Sequence, residues 1–513
     1  MRSSWQRSLI GTAGAFPRLA ARLAPTRRNA AGTGVRRLLL ASLVVACVSL
    51  ASPVGAASTR YSIALHVDWT NRSFWGLEEI DWTNPGNVAL NDVLLRLYPN
   101  APSLYGNGAL DVFGVRVNGE EAETDLSLGN TILRVHLPLP LPGGSAVSLA
   151  LLFAGRPAFW DETGPERSDV GYGTFAAAPR TVTLASFYPI LATQNAGEWD
   201  LSPVEDIGDP VTSDAATYAL SVTADCCLTV LASGTREGQE TATDGCATRF
   251  TGEGMRDVMV VLGDGYQEEL QTASGVLLVA SFFPEHDAAR GIALARASAA
   301  VSIYGESFGP YAYDELALVE VPLNRAAGVE YPGLVLFGES YCANPQDPFF
   351  DVIVAHEVAH QWWYAAVGND VVREPWLDEG LATFSSGVFL EQAMGEDVAR
   401  GAIATWQRTY TEAKERHPEL SVASPTSSFQ DTATYSAFVY CGGALFFDAL
   451  RRDLGDLLFF DVLRGYYREE SFQIAHASDL LHRFVDASPR DLSDLFVEYL
   501  GGQAAGPALS CGR

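Results

Sequence analysis

The stretch Val354-Ala355-His356-Glu357-Val358-Ala359-His360-Gln361-Trp362 decides how this chain is interpreted. It lies within an apolar segment, residues 349–367, that predicts a helix. Two histidines four positions apart share one face of a helix, so His356 and His360 can each give a ring nitrogen to one cation. Zn²⁺ is the usual partner for such a pair. Glu357 is placed to accept a proton from a water molecule activated by that ion.

The pattern His-Glu-x-x-His also arises by chance, in about one protein in a hundred of this composition. Burial argues against chance here, because two histidines and a glutamate would lie together in a run of Val, Ile, Ala, Trp and Tyr. Burying such polar groups without partners carries a large free-energy cost, which a bound metal removes. The motif therefore predicts a metal site.

A catalytic zinc takes three protein ligands and leaves one position open. Glu379 follows His360 by nineteen positions. Pro375 suits the first turn of a second helix, after a predicted turn at Gly368-Asn369-Asp370, and two antiparallel helices can face one ion. Asp378 is the alternative ligand. We prefer Glu379 because its position is in phase with the apolar face of that helix, where a solvent-facing residue would not be expected.

In the first half of the chain, apolar residues recur at every second position rather than at the helical spacing found around the motif. From Arg60 onward apolar and polar residues alternate over Tyr61 to Trp69, and turn signals such as Asn84-Pro85-Gly86-Asn87 separate further apolar runs. This pattern predicts an antiparallel β-domain, and helical patterns follow it. We expect an all-β domain packed on an α+β, mostly helical domain. The predicted segments are 1–57 signal peptide, 58–271 β-domain, 272–505 catalytic domain and 506–513 tail.

The net charge argues against nucleic acid as a partner, and the N-terminal sequence indicates the compartment of the protein. The formal charge of −28, from 34 basic and 62 acidic residues, would repel a nucleic acid backbone. Arg36-Arg37, the apolar run from Leu38 to Leu50 and small residues up to Ala57 follow the order of a secretory signal peptide. We expect cleavage near Ala56 or Ala57, with lipidation at Cys47 as the alternative. The protein is then secreted or held at the cell envelope, touching a membrane only through a lipid or an uncleaved anchor.

Six cysteines follow the signal segment. Because export permits disulfides, one of the adjacent Cys226 and Cys227 is expected to reach Cys246 across a hairpin. The other pairings stay open.

The motifs together resemble the aminopeptidase N-like gluzincin metallopeptidases, whose signature is H-E-x-x-H, eighteen residues, then E. His356, Glu357, His360 and Glu379 fit this spacing, and the segment around Glu379, Trp376 to Ala382, is similar to that family's W-L-N-E-G-F-A. The resemblance implies an N-terminal saddle-like β-sandwich, a thermolysin-like catalytic domain and one Zn²⁺ per chain. The family's large C-terminal helical domain is expected to be missing here, which would leave the cleft more open.

Two further family elements imply substrate-binding and catalytic residues. Gly328-Val329-Glu330-Tyr331-Pro332 stands where the family has G-x-M-E-N, so Glu330 is expected to hold the substrate's free α-amine, with Gly328 beside it. Tyr440-Cys441-Gly442-Gly443-Ala444 matches Y-x-K-G-A with Gly442 in place of lysine. The resemblance implies that Tyr440 donates to the oxyanion, whereas Tyr435 lies off the motif.

The expected function is hydrolysis of the N-terminal peptide bond of a peptide or protein substrate, with Glu357 as general base. Two alternatives remain: a zinc endopeptidase with an open cleft, and an inactive secreted scaffold. The sequence leaves the oligomeric state and the preferred first residue open.

Overall fold

The computed structural model describes residues 59–160, 170–195 and 197–502. The predicted signal segment 1–57, with Cys47 and Ala56, and the predicted tail 506–513 lie outside the described residues. Among the described residues, no helix combines the length and the apolar character needed to cross a bilayer.

The first half is built from β-sheets, as its period-two pattern predicts. The strand Arg60–Asp68 buries Tyr61, Ile63, Leu65 and Val67 on one face. It pairs antiparallel with Ser73–Thr83 and parallel with Ala216–Ala224. Because alternate side chains of a strand point to opposite faces, this apolar row packs into a core shared with the neighbouring sheets.

The strands of this half form one large sheet and three smaller ones. The large sheet has the order Thr235–Ala242, Gly245–Met255, Ala216–Ala224, Arg60–Asp68, Ser73–Thr83, Ala146–Arg156, Ala109–Val117, Glu120–Glu121. The second has the order Thr229–Ala232, Met259–Gly263, Thr181–Ala185, Phe175–Ala177, Ala158–Phe159. The others contain Ile190–Leu191, Leu90–Arg96, Ile132–Leu141, Thr124–Ser127, and the pair Gln194–Asn195, Glu198–Trp199.

A disulfide joins Cys226 to Cys246, with 4.9 Å between their Cα atoms. It links the end of one strand of the large sheet to the start of its neighbour, since Ala224 pairs with Cys246 in the ladder. Cys227 is exposed and reduced. Of the two adjacent cysteines, Cys226 is therefore the one that reaches across the hairpin.

The second half is organised around a five-stranded mixed sheet. Its order is Gln267–Ala273, Val276–Phe282, Glu315–Val321, Leu334–Gly338, Gly328–Tyr331. The first of these strands contains Gln271, where the sequence places the domain boundary. In the strand Glu315–Val321, Leu316 and Leu318 pack against the helices, while Val319 and Val321 pack against the core of the β-half. The sheet thus lies between the helices and the β-half.

Helices cover the outer face of that sheet and form the rest of the second half. The α-helices are Asp287–Ser307, Glu339–Cys342, Pro348–Ala359, Glu379–Phe389, Glu396–Arg416, Thr432–Ser436, Gly443–Leu454, Asp456–Glu470, Ala477–Ala487 and Ser493–Leu500. The first half contributes Pro102–Tyr105. Residues Leu390–Met394 and Ala437–Gly442 are π-helical. Short 3₁₀ turns span Tyr98–Asn100, Leu128–Asn130, Pro284–His286 and Thr426–Ser428. The predicted fold class, a β-sandwich region followed by a mostly helical α+β domain, is confirmed.

Two local predictions are wrong. The helix over 349–367 ends at Ala359, and the chain continues in turns as far as Val367. The predicted turn at Gly368-Asn369 is a short strand that pairs in parallel with Ile474–Ala475. In both places contacts with distant segments override the local pattern.

Candidate active site

The helix Pro348–Ala359 carries the first two predicted ligands. Asp347 caps it, its carboxylate accepting from the backbone N–H of Phe349, and Pro348 occupies the first position, where a missing N–H is tolerated. His360 closes the helix. One turn separates the histidines, so their rings project to the same side, with ring centroids 4.7 Å apart.

Three ligand atoms converge at this point. The Nε2 atoms of His356 and His360 lie 3.1 Å apart, and Glu379 Oε2 lies 3.1 Å from the first and 3.3 Å from the second. Among the described residues, this is the one cluster of three or more His, Cys, Asp or Glu with spacing suited to a metal ion. The structure therefore brings together the three residues that the sequence predicts as ligands.

The chemistry of the donor set fits Zn²⁺. His360 Nδ1 lies 2.9 Å from the backbone oxygen of Trp363, so this nitrogen carries the proton and Nε2 keeps its lone pair for a cation. Two imidazole nitrogens and one carboxylate oxygen form a ligand set of catalytic zinc sites. The set accommodates one zinc ion per chain, as predicted.

Asp378, the alternative ligand, has another role. Its Oδ1 accepts from the backbone N–H of Glu379 at 2.8 Å and caps the helix Glu379–Phe389. The regular helix begins at Glu379 rather than at Pro375, although Pro375 starts the turn that leads into it. Despite burial, hydrogen bonds to His356 and the charge of His360 lower the pKa of Glu379, so it is ionised.

Tyr440 lies in the π-helical turn Ala437–Gly442, an uncommon geometry that often occurs at functional sites. Its hydroxyl donates a hydrogen bond to Glu379 Oε1, and its ring stacks on that of His356 at 5.6 Å. Burial raises the pKa of Tyr440, so the hydroxyl keeps its proton. Tyr435 contacts the edge of the Tyr440 ring and stands outside the ligand cluster.

Glu357 points to the same space from the first ligand helix. It is buried, and its Oε2 has no hydrogen-bond partner, which marks a carboxylate ready to bind something else. Burial raises its pKa, and the charge of Glu330 adds to the shift. Gly328 packs directly against it: a Cβ at this position would lie 2.4 Å from Glu357 Oε1. The glycine therefore lets the edge strand approach the carboxylate.

Glu330 lies on the edge strand Gly328–Tyr331, opposite Val335 of the neighbouring strand. Only 8% of its surface is exposed, and its Oε1 lies 3.8 Å from His360 Nδ1. In the part of the chain that the structure describes, it forms no ion pair with Arg or Lys. A buried carboxylate without a basic partner is suited to bind a cationic group of a ligand.

Comparison with known proteins agrees with this geometry. Residues 292–499 match the model of the peptidase family M1 domain. Residues 292–499 are therefore similar to a peptidase family M1 domain and are called the M1 domain. The resemblance to aminopeptidase N-like gluzincins is thereby confirmed. Human "Aminopeptidase RNPEPL1" is 29% identical over 223 residues, which cover 40% of this chain and 30% of that protein. Aminopeptidase N of Streptomyces lividans is 26% identical over 192 residues, covering 35% of this chain and 22% of that protein.

The aligned regions thus span less than a third of these curated relatives. Among solved structures, the M1 zinc metallopeptidase from Deinococcus radiodurans is similar with a TM-score of 0.61 and 19% identity. The match covers 88% of this chain and 91% of that one. It includes the β-half as well as the M1 domain, and it shows that the fold is shared.

Sequence reasoning missed a group of residues from the β-half that lies beside the M1 domain site. Asp209, Tyr172 and Asp257 line a cleft, together with Glu330 and Tyr331 from the edge strand. Burial raises the pKa of Asp209, and the charge of Glu379 adds to this effect. The signal in the sequence is only a short acidic turn before Pro210, which has no motif to separate it from solvent-exposed loops.

Proposed function

We propose that this protein is a zinc-dependent aminopeptidase, which hydrolyses the first peptide bond of peptides or proteins. One observation carries the proposal: the buried Glu330 carboxylate lies 3.8 Å from the ligand His360 and has no basic partner among the described residues. A carboxylate fixed beside the ligand cluster selects substrates with a free ammonium group near the scissile bond. The names of the two curated relatives, both aminopeptidases, support the same activity.

His356, His360 and Glu379 would hold the ion. Zn²⁺ bound there supplies a Lewis acid that polarises a carbonyl and lowers the pKa of a water molecule.

The remaining roles belong to the protein's own side chains. Glu330 binds the α-ammonium and so fixes the position of the first residue. The unpartnered Oε2 of Glu357 accepts a proton from the attacking water and then delivers it to the leaving amine. The Tyr440 hydroxyl, protonated and directed at the ligand cluster, turns from Glu379 to donate to the developing oxyanion. These steps place an acceptor, a donor and an ammonium site around one carbonyl carbon.

The test is to measure cleavage of leucyl and alanyl arylamides by the purified protein, with free and with acetylated amino groups. We expect cleavage of the free substrates only, loss of activity with a chelator, and recovery with Zn²⁺. Metal analysis should give one zinc per chain, and none after His356→Ala. Glu330→Gln should raise KM for arylamides by removing the ammonium partner.

Two outcomes would favour the alternatives. Cleavage of acetylated peptides at internal bonds would indicate an endopeptidase. Absence of stoichiometric zinc in the wild-type protein, with no cleavage of any substrate, would indicate a non-catalytic scaffold. The matched control is Glu339→Gln, because this glutamate lies on a separate short helix after the neighbouring strand and outside the ligand cluster.

We also propose that the protein is exported. The signal-like segment before Ala57 and the disulfide between Cys226 and Cys246 both support an oxidising compartment. Mass spectrometry of the mature N-terminus would test this. A start near Ser58 would support a cleaved signal, a lipid-modified Cys47 would support a lipoprotein, and an intact N-terminus in the cytoplasm would contradict export.

A further inference from the structure

The cleft beside Glu330 contains more negative charge than a single ammonium group requires. Glu330 and Asp209 line it without an Arg or Lys ion-pair partner among the described residues. Asp257 also lines it, is 1% exposed, and has a buried Oδ1 with no hydrogen-bond partner. Burial raises the pKa of Asp257 to about 7, against the lowering effects of a hydrogen bond from Tyr364 and of the charge of the adjacent Arg256, so Asp257 has a compensating cation nearby. Asp209 has none.

The position of Asp209 is set by packing against the M1 domain. The preceding Gly208 has φ 77°, and a Cβ there would lie 2.8 Å from the hydroxyl of Tyr435. Tyr435 in turn contacts the ring of Tyr440, with centroids 5.9 Å apart. The segment that carries Asp209 is therefore held against the active site. The charges of Asp209 and Glu330 also act on each other, since Asp209 contributes to the raised pKa of Glu330.

Charge and shape together indicate what the cleft takes. If Glu330 binds the substrate's α-ammonium, the carboxylate of Asp209, which forms no ion pair with Arg or Lys among the described residues, remains for a second positive group of the same residue. The walls of the cleft include the rings of Tyr172 and Tyr331. Aromatic faces and carboxylates together favour guanidinium and ammonium groups.

We propose that this cleft receives the cationic side chain of the substrate's first residue and that Asp209 determines the specificity. The inference rests on the proposed aminopeptidase activity. It names peptides beginning with arginine or lysine as the preferred substrate class.

The decisive comparison is between arginine and citrulline, which have nearly the same shape but differ in charge. We expect kcat/KM of the zinc-loaded, full-length protein to be at least about tenfold higher for arginyl than for citrullinyl arylamide, as expected for a close charge pair. Asp209→Asn should lower the arginyl and lysyl values by a similar factor and leave the citrullinyl and leucyl values within about threefold. Asp206→Asn, an exposed acid three positions earlier, is the control and should keep the wild-type ratio.

Four results would overturn the inference. Equal cleavage of arginyl and citrullinyl substrates by the wild-type protein would show that the cleft does not select charge. An equal loss on all substrates in Asp209→Asn, with unchanged thermal unfolding, would show that Asp209 acts on the shared α-amine. Cleavage of no aminoacyl substrate would remove the proposed function and this inference together, whereas cleavage of leucyl substrates alone would remove only the inference.

Discussion

Arg256 connects the β-half to the backbone that follows the His-Glu-x-x-His motif, and its removal should destabilise the protein strongly. It follows the strand Gly245–Met255 directly and is only 2% exposed. Its guanidinium donates to four backbone oxygens, those of Ser213 at 3.1 Å, Tyr364 at 2.8 Å, Ala366 at 3.1 Å and Gln473 at 2.5 Å.

The expected loss of stability depends on which of these oxygens also accept a hydrogen bond from a second donor. Ala366 and Gln473 also accept from backbone N–H groups, of Phe472 and Gly368 respectively. Arg256 is the donor to the other two, those of Ser213 and Tyr364, so Arg256→Met would leave two carbonyls unpaired. Each unpaired buried carbonyl costs about 1–3 kcal/mol, which gives a loss of about 2–6 kcal/mol in the free energy of unfolding.

Backbone strain makes Tyr364 the sensitive point. Its φ of 126° is unusual for a residue with a side chain, and such conformations persist only where the surroundings enforce them. Its N–H is bonded to the oxygen of Val367 and its C=O to Arg256. Loss of Arg256 should therefore also loosen the turn after His360 and reduce zinc affinity.

Urea unfolding of Arg256→Met and of the wild-type protein, both zinc-loaded, measures the effect. Arg249→Met is the matched control, because this exposed arginine on the strand that precedes Arg256 pairs with the surface residue Glu240, and such pairs contribute about 0–1 kcal/mol. If Arg256→Met loses free energy of unfolding within 1 kcal/mol of the control, the estimate is wrong, because water must then replace the guanidinium at both carbonyls.

Three further predictions concern single side chains. Burial raises the pKa of Glu78, whose oxygens lack partners, so above about pH 4.3 the unfolded chain releases a proton that the folded protein keeps. Stability should then fall by about 1.4 kcal/mol per pH unit up to the folded-state pKa, and urea titrations should show this slope lost in Glu78→Gln but kept in exposed Glu79→Gln. Tyr440→Phe should lower kcat by about 10²-fold with little change in KM or zinc content; an unchanged kcat would remove its oxyanion role. Gly328→Ala should push the Glu357 carboxylate away and lower kcat while zinc content stays at the wild-type value, and full activity would show that the strand can shift.

Local patterns predicted the elements whose residues face one core. The apolar run in Val276–Phe282 and the alternation from Tyr61 onward gave strands at the expected places. The metal ligands were predictable for a related reason. Spacing on one helix fixes His356 and His360 on one face, and polar groups in an apolar run require a partner.

Features held by distant segments were not predictable. The residues after Ala359 have a helical apolar pattern, yet they turn, and Arg256 from the β-half holds the backbone oxygens of Tyr364 and Ala366. The pairing of Gly368–Asn369 with Ile474–Ala475 joins segments more than a hundred residues apart. Neither arrangement leaves a local signal, since both depend on donors that another part of the chain supplies.

The functional residues divide in the same way into those that the sequence predicts and those that it does not. The ligands, Glu357, Glu330 and Tyr440 all lie within residues 292–499, the M1 domain, whereas Asp209, Tyr172 and Asp257 come from the β-half. The sheet of the second half packs against the β-half on one face, so the edge strand with Glu330 lies where the two halves meet. A change in the β-half can therefore alter which first residue fits without moving a ligand. If this is correct, substitution of Asp209 should change the ratio between substrates, whereas substitution of Glu357 should lower all rates alike.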